Sequence, residues 1–353
     1  MLLKKIETPA LYVDLDILEH NINLMRDFST KIGIPVRPHY KSCKCAAIAH
    51  MQITQGAKGI TCAKISEAED LILSGIEDVL IANQVIEPSK IARLAYLASC
   101  CRLTVCVDNE ENIKLLETYA AIQNSTIYCL VEYDVGMFRN GVETPEDFVR
   151  LAKQIDSSPH LVFDGIQAYA GNLALEKDPD IRVKESDNVE TKLRDLIKYA
   201  QYEGLKINEV SGLSTGTALL TGKNSVYTEI QAGSYIFMDS AYKKLNLEFK
   251  NSLFVLSQVI GINSQWVIFD AGTKSVAIDN AAPVFVKYPN KEIKFSEEHC
   301  KILKDSVSEK IGDRLSIIPG HCCNQVNLFD RLFMVRSGTI VNRVPITGRG
   351  KSR

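Results

Sequence analysis

Residues 144–171 read TPEDFVRLAKQIDSSPHLVFDGIQAYAG and carry both halves of the pattern that decides the fold. Thr144 can cap a helix, Pro145 suits its first position, and Glu146 and Asp147 favour its positive end. Phe148, Leu151, Ala152 and Ile155 then fall on one face of that helix. The run that follows, HLVFDGIQAYAG, is almost continuously apolar, as in a strand buried on both faces. Working outward, the same rhythm recurs. KISEAEDLILSGI (64–76) is a helix before the strand EDVLIAN (77–83), and LTVCVD (103–108) is a strand before the helix NEENIKLLETYAAI (109–122). TIYCLVEYDVG (126–136) is the next strand, and the helix NVETKLRDLIKYAQYEG (188–204) precedes the strand INEVSGL (207–213). Roughly eight such units between residues 14 and 245 predict a (β/α)8 TIM-type barrel. Periodicity does not by itself separate a closed barrel from an open sheet, but the count favours the barrel.

After Lys250 the rhythm changes. LFVLSQVIGI, QWVIFDAG, KSVAID, PVFVKY, LSIIPG, LFMVR and TIVNRV all read as strands, with Ser337-Gly338 as a tight hairpin loop between the last two. Residues 246–353, together with 1–13, are therefore expected to form a C-terminal all-β domain. With 353 residues, 46% apolar and 24% charged, the chain has the composition of an ordinary globular protein. A formal net charge of −2 gives no electrostatic reason to expect nucleic acid or an anionic membrane. No apolar run approaches the roughly 18 residues that span a bilayer, and no signal-peptide pattern opens the chain. A cytoplasmic location is expected, with the ten cysteines reduced and mostly filling the core.

Three stretches carry chemistry. RPHYKSCK (37–44) leaves an apolar run and presents Arg37, His39, Lys41 and Lys44. Active sites of (β/α)8 barrels lie at the C-terminal ends of strands. There a lysine desolvated beside Arg37 and His39 becomes a nucleophile suited to Schiff-base chemistry. Read alone, the stretch is more simply a solvated basic loop. SGLSTGTALLTG (211–222) offers Gly212, Ser214, Thr215, Gly216 and Thr217 as a nest for a phosphate, or a plain turn. It has neither the lysine of a Walker loop nor dinucleotide-fingerprint spacing. In PGHCCNQVNLFD (319–330), an extended backbone turns His321 and Cys323 the same way and Cys322 the other. An imidazole with a thiolate favours zinc and leaves positions for water or substrate. Taken alone, two such residues are more often core than ligands.

Together and in this order, the stretches resemble the D-threonine aldolase and D-serine dehydratase family of pyridoxal-phosphate enzymes. The likeness spans TPALYVDLDILEHNI, RPHYK, GITCAKISEAEDLILSGIEDVLIAN, EYDVGMFRNGV, GIQAYAG, SGLSTGT, YTEIQAGSYIFMD, FDAGTKSVAID and PGHCCNQVNLFD. It implies the alanine-racemase-type fold, a homodimer with composite active sites, and a small D-amino acid as substrate. It implies further that Lys41 is the Schiff-base lysine and that Ser214, Thr215, Gly216 and Thr217 take the cofactor phosphate. His39, Arg139 and Tyr169 would lie near the cofactor, and His321 and Cys323 would hold a divalent metal, zinc before manganese. Two positions depart from the aldolase pattern. Leu175 stands where relatives commonly carry a histidine that acts on the substrate's β-hydroxyl. HxC stands where aldolases often have HxD and dehydratases HxC. DAGTKS and PITGRG, by contrast, look like the aldolase branch. The expected reaction is therefore elimination of water from a β-hydroxy-D-amino acid, with retro-aldol cleavage to glycine and an aldehyde as the alternative. A racemase or a non-catalytic vitamin-B6 carrier fits the metal pair less well.

Overall fold

The computed structural model describes residues 2–353, which divide into two compact units. One comprises residues 25–41, 48–233 and 351–353; the other comprises the chain up to residue 24, 42–47 and 234–350. Segments 15–24, 42–47 and 234–245 thus group with the sheet-rich unit rather than with the barrel.

The first unit is built on seven parallel strands paired in chain order: Ile60–Cys62, Asp78–Ile81, Arg102–Val107, Ile127–Glu132, Leu161–Ala168, Glu209–Gly212 and Glu229–Ile230. Helices Ile65–Leu73, Pro88–Ala98, Glu110–Gln123, Pro145–Asp156 and Pro179–Tyr202 alternate with them. The eighth position is taken by residues 34–39. On one side Arg37 N–H donates to Ile230 O at 2.9 Å and Ile230 N–H to Pro35 O at 3.0 Å. On the other, Lys58 N–H donates to Val36 O at 2.8 Å and Thr61 N–H to Pro38 O at 2.9 Å. The segment therefore joins both edges of the sheet and closes it into a barrel. Pro35 and Pro38 have no N–H to give, so this strand pairs through isolated bridges at Val36 and His39 rather than a continuous ladder.

The local code works as the sequence requires. Thr144 Oγ1 accepts the N–H of Asp147 at 3.1 Å, and Phe148, Leu151, Ala152 and Ile155 are buried. The helix expected from residue 188 begins at Pro179 instead. Asp178 accepts the N–H groups of Asp180 and Ile181, and a proline in the first turn extends the helix through a polar stretch that has no apolar face to read.

Arg37 does not lie free beside Lys41, as the sequence led one to expect. Its guanidinium is buried against Asp78 Oδ1 at 2.6 Å and Glu229 Oε2 at 2.9 Å, with Lys58 Nζ 3.2 Å from Glu229. Burial raises the Glu229 carboxyl, but Arg37 and Lys58 outweigh it and hold the group below the usual carboxylate range. Its stabilising contribution is therefore complete above that range and is lost as pH falls through the lowered value. Arg37→Met, which removes the nearest charge partner of both Asp78 and Glu229, is expected to cost roughly 3–5 kcal/mol in urea unfolding. A loss below about 1 kcal/mol would assign the network the weight of a surface pair.

The second unit contains a nine-stranded, mainly antiparallel sheet. Its longest strand, Leu253–Ile262, pairs antiparallel with Ala10–Asp14, Trp266–Phe269 and Arg314–Ile318. Strand Arg331–Arg336 lies parallel to Ala10–Asp14 and forms a hairpin with Thr339–Pro345. Ser337 at φ 49° and Gly338 at φ 73° give that hairpin the doubly left-handed turn its twist demands. Two expected strands are corrected. KSVAID is a run of turns, with the N–H groups of Ser275 and Val276 both donating to Gly272 O, and only Val284–Phe285 of PVFVKY pairs. Short strands Lys294–Phe295 and Cys300–Leu303 complete the sheet. Among the described residues none of the ten cysteines forms a disulfide, and most are buried. Among the described residues, no helix is long and apolar enough to cross a membrane.

Candidate active site

The barrel strand of residues 34–39 runs directly into a 3-10 turn, Tyr40–Ser42, that carries Lys41 at the strand's C-terminal end. Tyr40, buried, donates its hydroxyl to Asp70 Oδ2 at 2.5 Å. The Lys41 N–H donates to His39 Nδ1 at 3.3 Å, which requires that nitrogen to be unprotonated and leaves the neutral imidazole proton on Nε2. Lys41 Nζ sits 5.4 Å from the centre of the Tyr169 ring, and Arg139 Cζ lies 5.7 Å from the same ring. Tyr169 follows the strand Leu161–Ala168. Arg139 stands on a loop after Ile127–Glu132, where Asp134 Oδ1 accepts the N–H groups of Gly136 and Met137 at 2.8 Å each. Glu132 reaches Arg139 at 3.6 Å and accepts from Gln84 Nε2 at 2.5 Å. Burial pushes the Glu132 carboxyl up, against the pull of Gln84 and Arg139. Lysine, tyrosine and arginine from three strand ends thus gather on one aromatic ring.

Past strand Glu209–Gly212 the chain turns through Leu213 at φ 67° into the buried stretch Ser214, Thr215, Gly216, Thr217. Ser214 N–H donates to Thr217 Oγ1 at 3.0 Å, the two hydroxyls are 3.1 Å apart, and Ala218 N–H closes the turn on Ser214 O at 2.8 Å. Gly216 leaves no room for a Cβ, which would strike Ala174 O, and its buried N–H has no partner among the described residues. A buried turn with an unpaired N–H and clustered hydroxyls fits a phosphate; an amine beside an aromatic ring fits an aldehyde. Pyridoxal phosphate carries both groups.

His321 is extended (φ −152°, ψ 109°), but the next residue starts a short helix, Cys322–Gln325. Alternation along an extended segment is therefore not what aligns His321 and Cys323. His321 occupies the position before the helix and Cys323 its first turn, within hydrogen-bond reach of the imidazole. Cys322 is fully buried, with its N–H donated to Asp239 Oδ2 at 2.9 Å. Cys323 and burial together push the Cys322 thiol up and keep it protonated. The Cys323 sulfur lies 3.3 Å from Ser42 Oγ and 3.6 Å from Ser234 Oγ. His321 Nδ1 lies 2.5 Å from Asp279 Oδ2. Burial pushes the imidazole down, but Cys323 and Asp279 outweigh it and bring it to about 9. Among the described residues, no cluster of three or more His, Cys, Asp or Glu side chains is arranged to hold a metal ion. The pair offers two donors, one soft and one borderline, a set suited to zinc.

Residues 13–241 match the family model of the alanine racemase N-terminal domain, and residues 252–335 match that of a serine dehydratase domain. A 3-hydroxy-D-aspartate aldolase from Paracoccus denitrificans (strain Pd 1222) is 35% identical, covering 98% of this chain and 93% of its own. The chain belongs to the D-threonine aldolase and D-serine dehydratase family. Within that family, the crystal structure of D-threonine aldolase from Filomicrobium marinum is similar at a TM-score of 0.97 and 34% identity, over 100% of this chain and 99% of that one. The D-threo-3-hydroxyaspartate dehydratase of Delftia sp. (strain HT23) is 27% identical, over 78% of this chain and 73% of its own. The family's alanine-racemase-type fold, a barrel with a β domain, is the fold seen here. Reading the sequence missed Gln84, Glu132, Ser42, Ser234 and Asp279. Each acts on a neighbour distant in the chain, and no spacing signals it.

Proposed function

We propose that the chain is a pyridoxal-phosphate-dependent lyase of β-hydroxy-D-amino acids whose main reaction is elimination of water to an oxo acid and ammonia. Lys41 holds the cofactor, Ser214, Thr215, Gly216 and Thr217 its phosphate, and His39, Arg139 and Tyr169 flank it. His321 and Cys323 hold a divalent ion. When bound, the cofactor supplies an electron sink for charge at the substrate Cα, and the ion supplies Lewis acidity for the β-hydroxyl. Lys41 Nζ would take the Cα proton. Hydroxide leaves Cβ and takes up a proton to become water, and the enamino acid so formed hydrolyses to oxo acid and ammonia. Tyr169 and Arg139 orient the lysine at that end of the barrel.

The observation that carries the choice of bond is Leu175, half-buried in the loop after strand Leu161–Ala168. Retro-aldol cleavage requires a base on the β-hydroxyl, and a leucine cannot accept a proton. Elimination requires a base at Cα, which Lys41 supplies, and no base on the β-hydroxyl. Retro-aldol cleavage is kept as a second reading because the relatives at 34–35% identity are aldolases. Incubation with D-serine, D-threonine and the 3-hydroxyaspartate isomers separates the two, with oxo acid plus ammonia assayed apart from glycine plus aldehyde. Oxo acid is expected to form faster. Leu175→His is expected to move the ratio toward cleavage by a factor on the order of 10 to 1,000, the scale of help from a positioned base. Glycine and aldehyde as the main wild-type products would overturn the elimination reading.

A further inference from the structure

We infer that Asp279 is a positioning residue for the metal pair: its carboxylate fixes the His321 imidazole with the proton on Nδ1, so that Nε2 presents its lone pair beside the Cys323 sulfur. This rests on the reading of His321 and Cys323 as metal ligands. Asp279 Oδ2 takes two donors at once, His321 Nδ1 at 2.5 Å and Asn324 Nδ2 at 2.8 Å. The carboxylate is thereby oriented from two sides. An imidazole that donates from Nδ1 to a carboxylate has one tautomer and one ring orientation, and its remaining nitrogen is the more basic donor.

The loop that carries Asp279 is stitched to the segment that carries His321. Gly320 N–H donates to Ala277 O at 2.8 Å, Ala277 N–H to Gln325 Oε1 at 2.9 Å, and Gln325 Nε2 to Ser275 O at 2.9 Å. Gln325 is fully buried, and a Cβ at Gly320 would strike Ala281 O. The run of turns in place of the expected strand KSVAID is what allows this, because a strand would carry Asp279 along a ladder instead of folding it back over His321. Fold stability does not account for the arrangement. The Asp279 side chain is 42% exposed, and a pair so open to water contributes little to folding. Nor is Asp279 placed as a third ligand, since the oxygen nearest the imidazole is already shared by two N–H donors.

The test uses the full-length, cofactor-loaded chain, stripped of metal by chelation and titrated with zinc against a chromophoric chelator. Asp279→Ala and Asp279→Asn are expected to weaken zinc binding about 10- to 100-fold, and Asp279→Glu to restore most of it. Melting temperatures of the metal-free variants should match the wild type, which a purely structural role would not allow. With cobalt(II) at saturation, Asp279→Ala should keep the thiolate-to-cobalt absorption band, because Cys323 still binds, and Cys323→Ala should lose it. Zinc binding by Asp279→Ala as tight as the wild type would overturn the inference. Failure of the wild type to bind zinc, or undiminished binding by Cys323→Ala, would instead overturn the metal reading beneath it.

Discussion

Borohydride reduction of the cofactor-loaded protein is expected to leave one pyridoxal group on the peptide that contains Lys41, and Lys41→Ala is expected to lower turnover by about 1,000-fold or more. The argument is one of availability. Lys44, three residues on, has a left-handed backbone (φ 46°) and directs its amine to Gly348 O at 3.4 Å. Lys58 is paired with Glu209 and Glu229. Lys41 is the lysine that stands past the barrel strand with its amine near an aromatic face, 5.4 Å from the Tyr169 ring centre. Lys41→Arg retains the charge but not the nucleophile, so it should lose the cofactor's absorption as fully as the alanine variant does. Labelling of Lys44 would sink the assignment.

Chelation is expected to abolish turnover while leaving the cofactor spectrum in place, because the ion acts on the substrate hydroxyl rather than on the lysine. The loss should be on the order of 1,000-fold, since Lewis-acid assistance supplies several kcal/mol. Cys323→Ala should reproduce it. Cys322→Ala should not, although the two cysteines are adjacent. Cys322 is a buried, protonated thiol whose backbone anchors on Asp239, so its truncation removes packing and leaves the donors intact. Comparable loss of turnover in both variants, measured with zinc restored in excess, would mean that this turn serves packing rather than chemistry.

How much of this was legible in the sequence varies by element, for physical reasons. The helix Pro145–Asp156 was readable because cap, proline, acidic first turn and apolar face all agree. Buried parallel strands announce themselves as unbroken apolar runs. KSVAID misled because a short apolar run such as Val276–Ala277–Ile278 occurs in turns as well as in strands, and the bonds that decide it run to Gly272 O and Gln325. The backbone around Cys323 was misjudged for a similar reason, since a helix of four residues is too short to show a period. Arg37 seemed to belong with Lys41 because only three residues separate them, yet its partners are Asp78 and Glu229. Individual candidate residues could be picked out by residue type and spacing. A group that contacts one of them from a remote stretch, such as Asp279 against His321, has no local signature.

The two prolines in the lysine's strand also bear on how the barrel fluctuates. Elsewhere, neighbouring strands hold one another through runs of paired residues, six of them between Ile127–Glu132 and Leu161–Ala168. The strand of residues 34–39 is held by single bridges on each side. Amide protons lining this seam need only a local opening to exchange with solvent, whereas those in the continuous ladders wait for larger, rarer excursions. The compliant staves of the barrel are thus next to Lys41, and the rest of the wall can stay closed while that seam opens.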